Sequence, residues 1–419
     1  MYTSTRHKRS NPSSALLSKT ESLRARIELL PGLKKAITNR ETSAISKEQW
    51  FAISNQLETV ANKLLQQLHQ ITNAHFPYPA DGSDNDTLVN KLGEIELDLT
   101  QAFSFYDTYM DILTQRLSPE LGPLLLGCDM IAADGLKHNH LPGVTNKPIV
   151  YCDRGFGASI LREGVSILKT VNPVAFIAIP YSRLAEKYNL ISIYHEVGHQ
   201  AMSRLNMVNT FQDLFSTVVK NAGGNQILQN MFANWSREIV PDFWAFAHTG
   251  MGQTSSMKDI LMVPKNMAFQ ISPYQQHPPS YLRFLISVEW CRFLWGRGQW
   301  DQWEEEWESF YPVGKEDQLT QTAIRSAKKY LREIAVSIIT TRFKILNRKP
   351  LTSLFDMHCI APTNLNFFSE NTDGEQFHSQ PIGVQLSAFR LLRDDPEKTI
   401  GEINESMKQW LLHLPGQKQ

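Results

Sequence analysis

Residues 194–200 read Tyr-His-Glu-Val-Gly-His-Gln, two histidines four apart with a glutamate directly after the first. On a helix, four residues make about one turn, so His195 and His199 project from the same face. The rest of that helix must then be packed, which commits this stretch to the interior of a folded domain. The neighbouring pattern agrees: Leu190, Tyr194, Val197, Ala201 and Leu205 step by four, three, four and four and form one apolar stripe. His195, His199 and Met202 fall on another face. The spacing predicts a helix over 183–206, with Ser182 or Asn189 available to cap its start.

Two imidazoles displayed this way can chelate zinc, and Glu196 is placed to act on water rather than on the metal. A catalytic zinc needs a third protein ligand. The segment 234–247, Asn-Trp-Ser-Arg-Glu-Ile-Val-Pro-Asp-Phe-Trp-Ala-Phe-Ala, offers Glu238 as that ligand, with Asp242 one turn further on a second helix, about 225–248. Asp242 suits the other ring N–H of a zinc-bound histidine, His195 first, fixing its tautomer. Pro241 lies between the two carboxylates. A proline in a helix interior removes one backbone bond and crowds the preceding turn, so a kink or a fresh helix start is expected there. Asp242 or His248 would replace Glu238 if it fell short.

Taken together, His-Glu-x-x-His followed by Glu-x-x-x-Asp resembles the gluzincin metallopeptidases, whose zinc is held by two histidines and a glutamate. The segment His-Pro-Pro-Ser-Tyr-Leu-Arg, His277 to Arg283, is similar to the His-Pro…Arg segment of the prenyl-protein and heat-shock-type membrane metallopeptidases. The resemblance covers about residues 174–285. It implies a zincin-like core with a small sheet, one Zn2+ per chain on His195, His199 and Glu238, and Glu196 as general base. His277 would steady the oxyanion, with Tyr274 and Tyr281 as competitors. Asp242 and Arg283 would support the ligands, Arg283 through a salt bridge in preference to a substrate carboxylate. The resemblance further implies that an extended peptide pairs with the edge strand before the His-Glu-x-x-His helix, here Val174, Ala175, Phe176, Ile177, Ala178 and Ile179. The activity implied is hydrolysis of peptide bonds in a peptide or protein substrate. The alternatives are a fold kept for binding or scaffolding, and a zinc hydrolase of a non-peptide amide.

The rest of the 419 residues reads as α+β, predominantly α-helical. Residues 1–14 are polar and basic, a disordered tail. A helical region, 15–118, follows, in which Trp50, Ile53, Leu57, Val60, Leu64 and Leu68 share a stripe and 76–86 is a loop. A catalytic domain, 119–290, holds strands at 147–153 and 172–180 with a helix over 157–171 between them. Helices fill 291–419, including one long helix over 315–343 and a buried aromatic stripe of Trp300, Trp303 and Trp307. His138 and His140 read as a polar loop. Lys and Arg together equal Asp and Glu at 42 each, so no nucleic-acid partner is expected. No apolar stretch is long enough to span a bilayer, unlike in the membrane-embedded relatives, and a soluble cytoplasmic protein is expected. The cysteines Cys128, Cys152, Cys291 and Cys359 are scattered and read as buried reduced thiols. Nothing in the sequence indicates an oligomeric state.

Overall fold

A computed structural model of the full chain describes residues 12–33, 45–75, 85–138, 141, 147–155, 157–167, 170–395 and 397–416. Most of the described chain is helical, with a small sheet. It divides into two compact units, residues 1–122 with 162–175, and residues 123–161 with 176–419. The second unit shows no division at 290. Of the expected tail, 1–11 lies outside the described residues, and 12–14 open the first helix. Most of the expected 76–86 loop, 76–84, and also His140, lie outside them as well.

The first unit holds helices α1 (Pro12–Ile27), α2 (Lys47–His75) and α3 (Asn85–Leu117), and α2 carries the stripe read from the sequence. Leu23 and Ile27 of α1, Leu64 and Leu68 of α2, and Leu92 and Leu99 of α3 belong to one buried core. A two-stranded hairpin, Ser166–Ile167 with Thr170–Val171, belongs to this unit and hydrogen-bonds α2 through Gln56 and Thr170 at 3.3 Å.

The second unit contains α4 (Leu121–Asp134) from Pro123 onward, and a three-stranded sheet. Its strands are β1 (Ile149–Asp153), β2 (Ser159–Leu161) and β5 (Phe176–Pro180), the hairpin supplying β3 and β4. β5 runs parallel to β1 and antiparallel to β2, so it is the central strand. The Asp129 carboxylate of α4 accepts a hydrogen bond from the Val150 backbone at 2.7 Å and ties the helix to β1. After β5 come two 3₁₀ turns and then α5 (Ser192–Arg204), α6 (Val208–Asn221), α7 (Gln226–Thr249), α8 (Met251–Ile260), α9 (Ser280–Trp295) and α10 (Gln299–Phe310). The stripe of Trp300, Trp303 and Trp307 on α10 is buried, as its spacing predicts.

Three local expectations change. The segment 157–171 is not a helix but β2 and the hairpin. Gly157, Gly164 and its Ile, Val and Thr residues favour extended chain, and pairing with β5 settles the outcome. The long helix over 315–343 is two helices, Gln318–Lys328 and Leu331–Thr340. The helix expected over 183–206 begins at Ser192 without a side-chain cap from Ser182 or Asn189. Asn189 instead donates to Asp259 at 2.9 Å. Cys128, Cys152 and Cys291 are buried, while Cys359 is part-exposed. Among the described residues, no helix is long and apolar enough to cross a membrane.

Candidate metal centre

Helix α5 presents His195, Glu196 and His199, and α7 lies against it. The two helices come close at Gly198, where a Cβ would stand 2.8 Å from the Pro241 Cα and 3.0 Å from the Trp244 Cβ. Only glycine permits that approach. Pro241 does not break α7, which runs unbroken from Gln226 to Thr249. Glu238 and Asp242 therefore stay one turn apart and share the face turned to α5. Pro241 itself lies at the close approach to Gly198.

The three proposed ligands meet. His195 Nε2 lies 3.2 Å from His199 Nε2 and 3.4 Å from a Glu238 carboxylate oxygen. The second Glu238 oxygen lies 3.9 Å from His199 Nε2. One ligand atom from each residue falls within 4.8 Å of the others, and among the described residues no other set of three such groups does so. Two nitrogens on one zinc, at 2.0–2.1 Å each and a tetrahedral angle, stand about 3.3 Å apart. The two histidine nitrogens stand at that spacing, with Glu238 oxygens 3.4 Å and 3.9 Å from them.

Behind the ligands, the Asp242 carboxylate accepts from His195 Nδ1 at 2.8 Å. That contact assigns the proton of neutral His195 to Nδ1 and turns the Nε2 lone pair to the site. Arg283, at the start of α9, donates to Asp242 through Nε at 2.5 Å and Nη2 at 2.8 Å. Its Nη2 also lies 3.3 Å from His195 Nδ1, but both atoms are donors there, so this is packing and not a hydrogen bond. The bidentate pair occupies Arg283 with Asp242, the structural role preferred from the sequence.

The titration of these groups follows from burial and neighbours. Burial opposes charge on His195, but Asp242 and Glu238 outweigh it and raise the ring to about 10. Burial and the adjacent His195 push His199 down to about 3. Burial also disfavours charge on Glu238, yet His195 and Arg283 hold its carboxyl well below the ordinary range. Asp242 is likewise lowered against its burial, chiefly by Arg283. Glu196 is the exception: it is buried, and that burial raises its pKa. A carboxylate kept more basic than usual suits a proton acceptor.

The remaining candidates separate. His277 is 58% exposed in its side chain, with Nε2 3.9 Å from a Glu238 oxygen, so it stands on the open side of the cluster. Tyr274 is 91% exposed on the preceding loop. Tyr281 does not face the site: it is buried and its hydroxyl reaches Glu308 at 3.3 Å. Tyr281 and Arg283 are two apart on α9, which puts them on opposite sides of the helix. The strand reading also needs correction. Phe176, Ile177, Ala178 and Ile179 lie in central, fully buried β5, and Val174 and Ala175 precede it. β1 and β2 take both backbone edges of β5, so no peptide can pair there. The outer strand beside α5 is β2.

Sequence reasoning missed the layer beneath α5. The Tyr194 hydroxyl donates to Asp134 at 2.6 Å, and Trp244 Nε1 donates to the Gly135 carbonyl at 3.0 Å. A Cβ on Gly135 would meet Val197 at 2.9 Å and Tyr194 at 3.0 Å. The apolar stripe of α5 pointed to that contact, but nothing local marked Asp134 as its polar partner. His138 is not in a solvated loop; it is half-buried against Trp244, His248 and Phe355. No protein-family model, no curated protein and no solved structure matches this chain.

Proposed function

We propose that this chain is a zinc-dependent metallopeptidase with a zincin-like core, hydrolysing peptide bonds in a peptide or protein substrate. The observation that carries the reading is the meeting of His195, His199 and Glu238, with Asp242 on the far nitrogen of His195. One zinc ion held there supplies Lewis-acid polarisation of the scissile carbonyl and lowers the pKa of water. Glu196, made more basic by burial, takes the proton of the attacking water and delivers it to the leaving amine. His277 stands on the open side and donates to the oxyanion as it forms. Asp242, locked by Arg283, keeps His195 in its ligating tautomer throughout.

The test is Glu196→Gln, assayed on a peptide library with zinc measured on the same preparation. The expected outcome is unchanged zinc and hydrolysis reduced by about a thousandfold or more, the upper part of the range for losing a general base. Cleavage at the wild-type rate would remove Glu196 from the mechanism.

A further inference from the structure

Along α5, Ser192, Glu196 and His199 follow one another at steps of four and three, so they share a face. Ser192 opens the helix, one turn before the proposed general base. Its hydroxyl oxygen is buried and, among the described residues, has no hydrogen-bond partner. Ser236, Ser287 and Ser337, also inside helices, each donate to the carbonyl three residues earlier, at 2.7, 2.7 and 2.8 Å. Ser192 makes no such bond. Glu196 has the complementary need. It is buried, and among the described residues burial and nearby charges act on its carboxylate while no hydrogen bond does. Buried carboxylate oxygens left without donors are costly. In the proposed reaction one oxygen of Glu196 faces the attacking water, and the other falls to the protein. Side chains on a helix lean toward its N-terminus, so Glu196 extends back over the turn that Ser192 begins. The Cβ atoms of such a pair stand about 5–6 Å apart. The longer glutamate side chain spans that gap, and a serine hydroxyl rotates to donate.

We propose that Ser192 is a positioning residue for peptide hydrolysis: its hydroxyl donates to the Glu196 oxygen turned away from the attacking water and holds the carboxylate in line with that water. The inference rests on the reading of Glu196 as the base. Ser192 acts through Glu196 alone, so its loss falls on turnover and not on metal or substrate binding. Its place on α5 keeps the donor and the base on one rigid element, where a shift of either would carry the other with it.

Steady-state peptide cleavage by the full chain, with zinc measured on each preparation, decides the matter. Ser192→Ala should lower kcat about ten- to a hundredfold, the range for losing an outer-shell partner, with KM and zinc unchanged. Ser192→Thr, which keeps the hydroxyl, should recover most of that rate. In a Glu196→Gln background, Ser192→Ala should bring no further loss, because the two residues act as a unit. A Ser192→Ala chain with the wild-type kcat overturns the proposal. So does a loss that adds in full to that of Glu196→Gln, or a Ser192→Thr chain no faster than Ser192→Ala. If Ser192→Ala does not fold, Ser192→Thr against Ser192→Val, alike in shape with and without the hydroxyl, decides it in the same way. Wild-type cleavage by Glu196→Gln overturns the reading of the base and this inference with it. An inactive Glu196→Gln beside an unimpaired Ser192→Ala overturns this inference alone.

Discussion

The first unit buries a single charged side chain, Arg116, among its described residues, whereas the second gathers several in one cluster. In the α1–α3 unit the core is apolar, and its Glu96 pair with Arg26 and Lys19 sits at a part-exposed surface. In the second unit, Asp242, Arg283, Glu196 and Glu238 gather with two histidines in a largely buried cluster. Apolar burial stabilises without any need for pairing. Buried charges cost several kcal/mol each and repay it only when every partner is in place. A fold that needed stability alone would do as well with apolar side chains there. The gathered cluster in the second unit is what the proposed metal centre would require.

Breaking one buried pair sharpens that contrast most. Asp242→Ala leaves Arg283 buried without its partner and is expected to cost about 3–5 kcal/mol in chemical denaturation. Adding Arg283→Leu should recover part of that loss, since the uncompensated charge then disappears. Non-recovery would mean that the pair's packing, not its charge, is what matters.

Gly198→Ala probes the approach of the two helices. A Cβ there meets the Pro241 backbone at 2.8 Å, so α5 and α7 must separate. A loss of about 1–3 kcal/mol is expected, typical of overpacking. Zinc affinity should fall with it, because Glu238 is carried away from the histidines. An alanine variant with wild-type stability and zinc affinity would show that the close approach does not position the site.

Glu96→Gln is the smallest effect, below about 1 kcal/mol for a part-exposed pair. Hydrogen bonds from Arg26 and Lys19 lower the Glu96 carboxyl to about 2. Because its folded pKa lies below the unfolded value of about 4.3, its contribution is present above that value and is lost as pH falls toward 2. Acid titration of wild type against Glu96→Gln should show the difference closing across that window. A constant difference down to pH 2 would contradict the assignment.

Much of this contrast is legible in the sequence, because helices advertise themselves locally. A four-residue step is enough to place His195 with His199 and Glu238 with Asp242 on shared faces. The apolar stripe of α2 is equally direct. What sequence misses depends on partners far along the chain. β5 has the composition of a strand, but its central position depends on β2, in a stretch whose apolar residues also suit a helix. Pro241 carries a penalty that local rules count in full, while the close approach at Gly198 becomes visible only when the helices are docked. Tyr281 was drawn to the site by its neighbours in the chain, and α9 turns it the other way. His138 and His248 stand 110 residues apart, with no shared pattern to join them.

The account rests most heavily on Glu238, the proposed third ligand, one turn before Asp242 on a helix that contains Pro241. Tight zinc affinity, measured by chelator competition on wild type and Glu238→Gln side by side, tests it directly. The expected result is one tightly held ion in wild type and a loss of that tight binding in Glu238→Gln, with the helical fold retained by circular dichroism. A Glu238→Gln chain that folds and holds zinc as tightly as wild type would contradict the His-His-Glu centre.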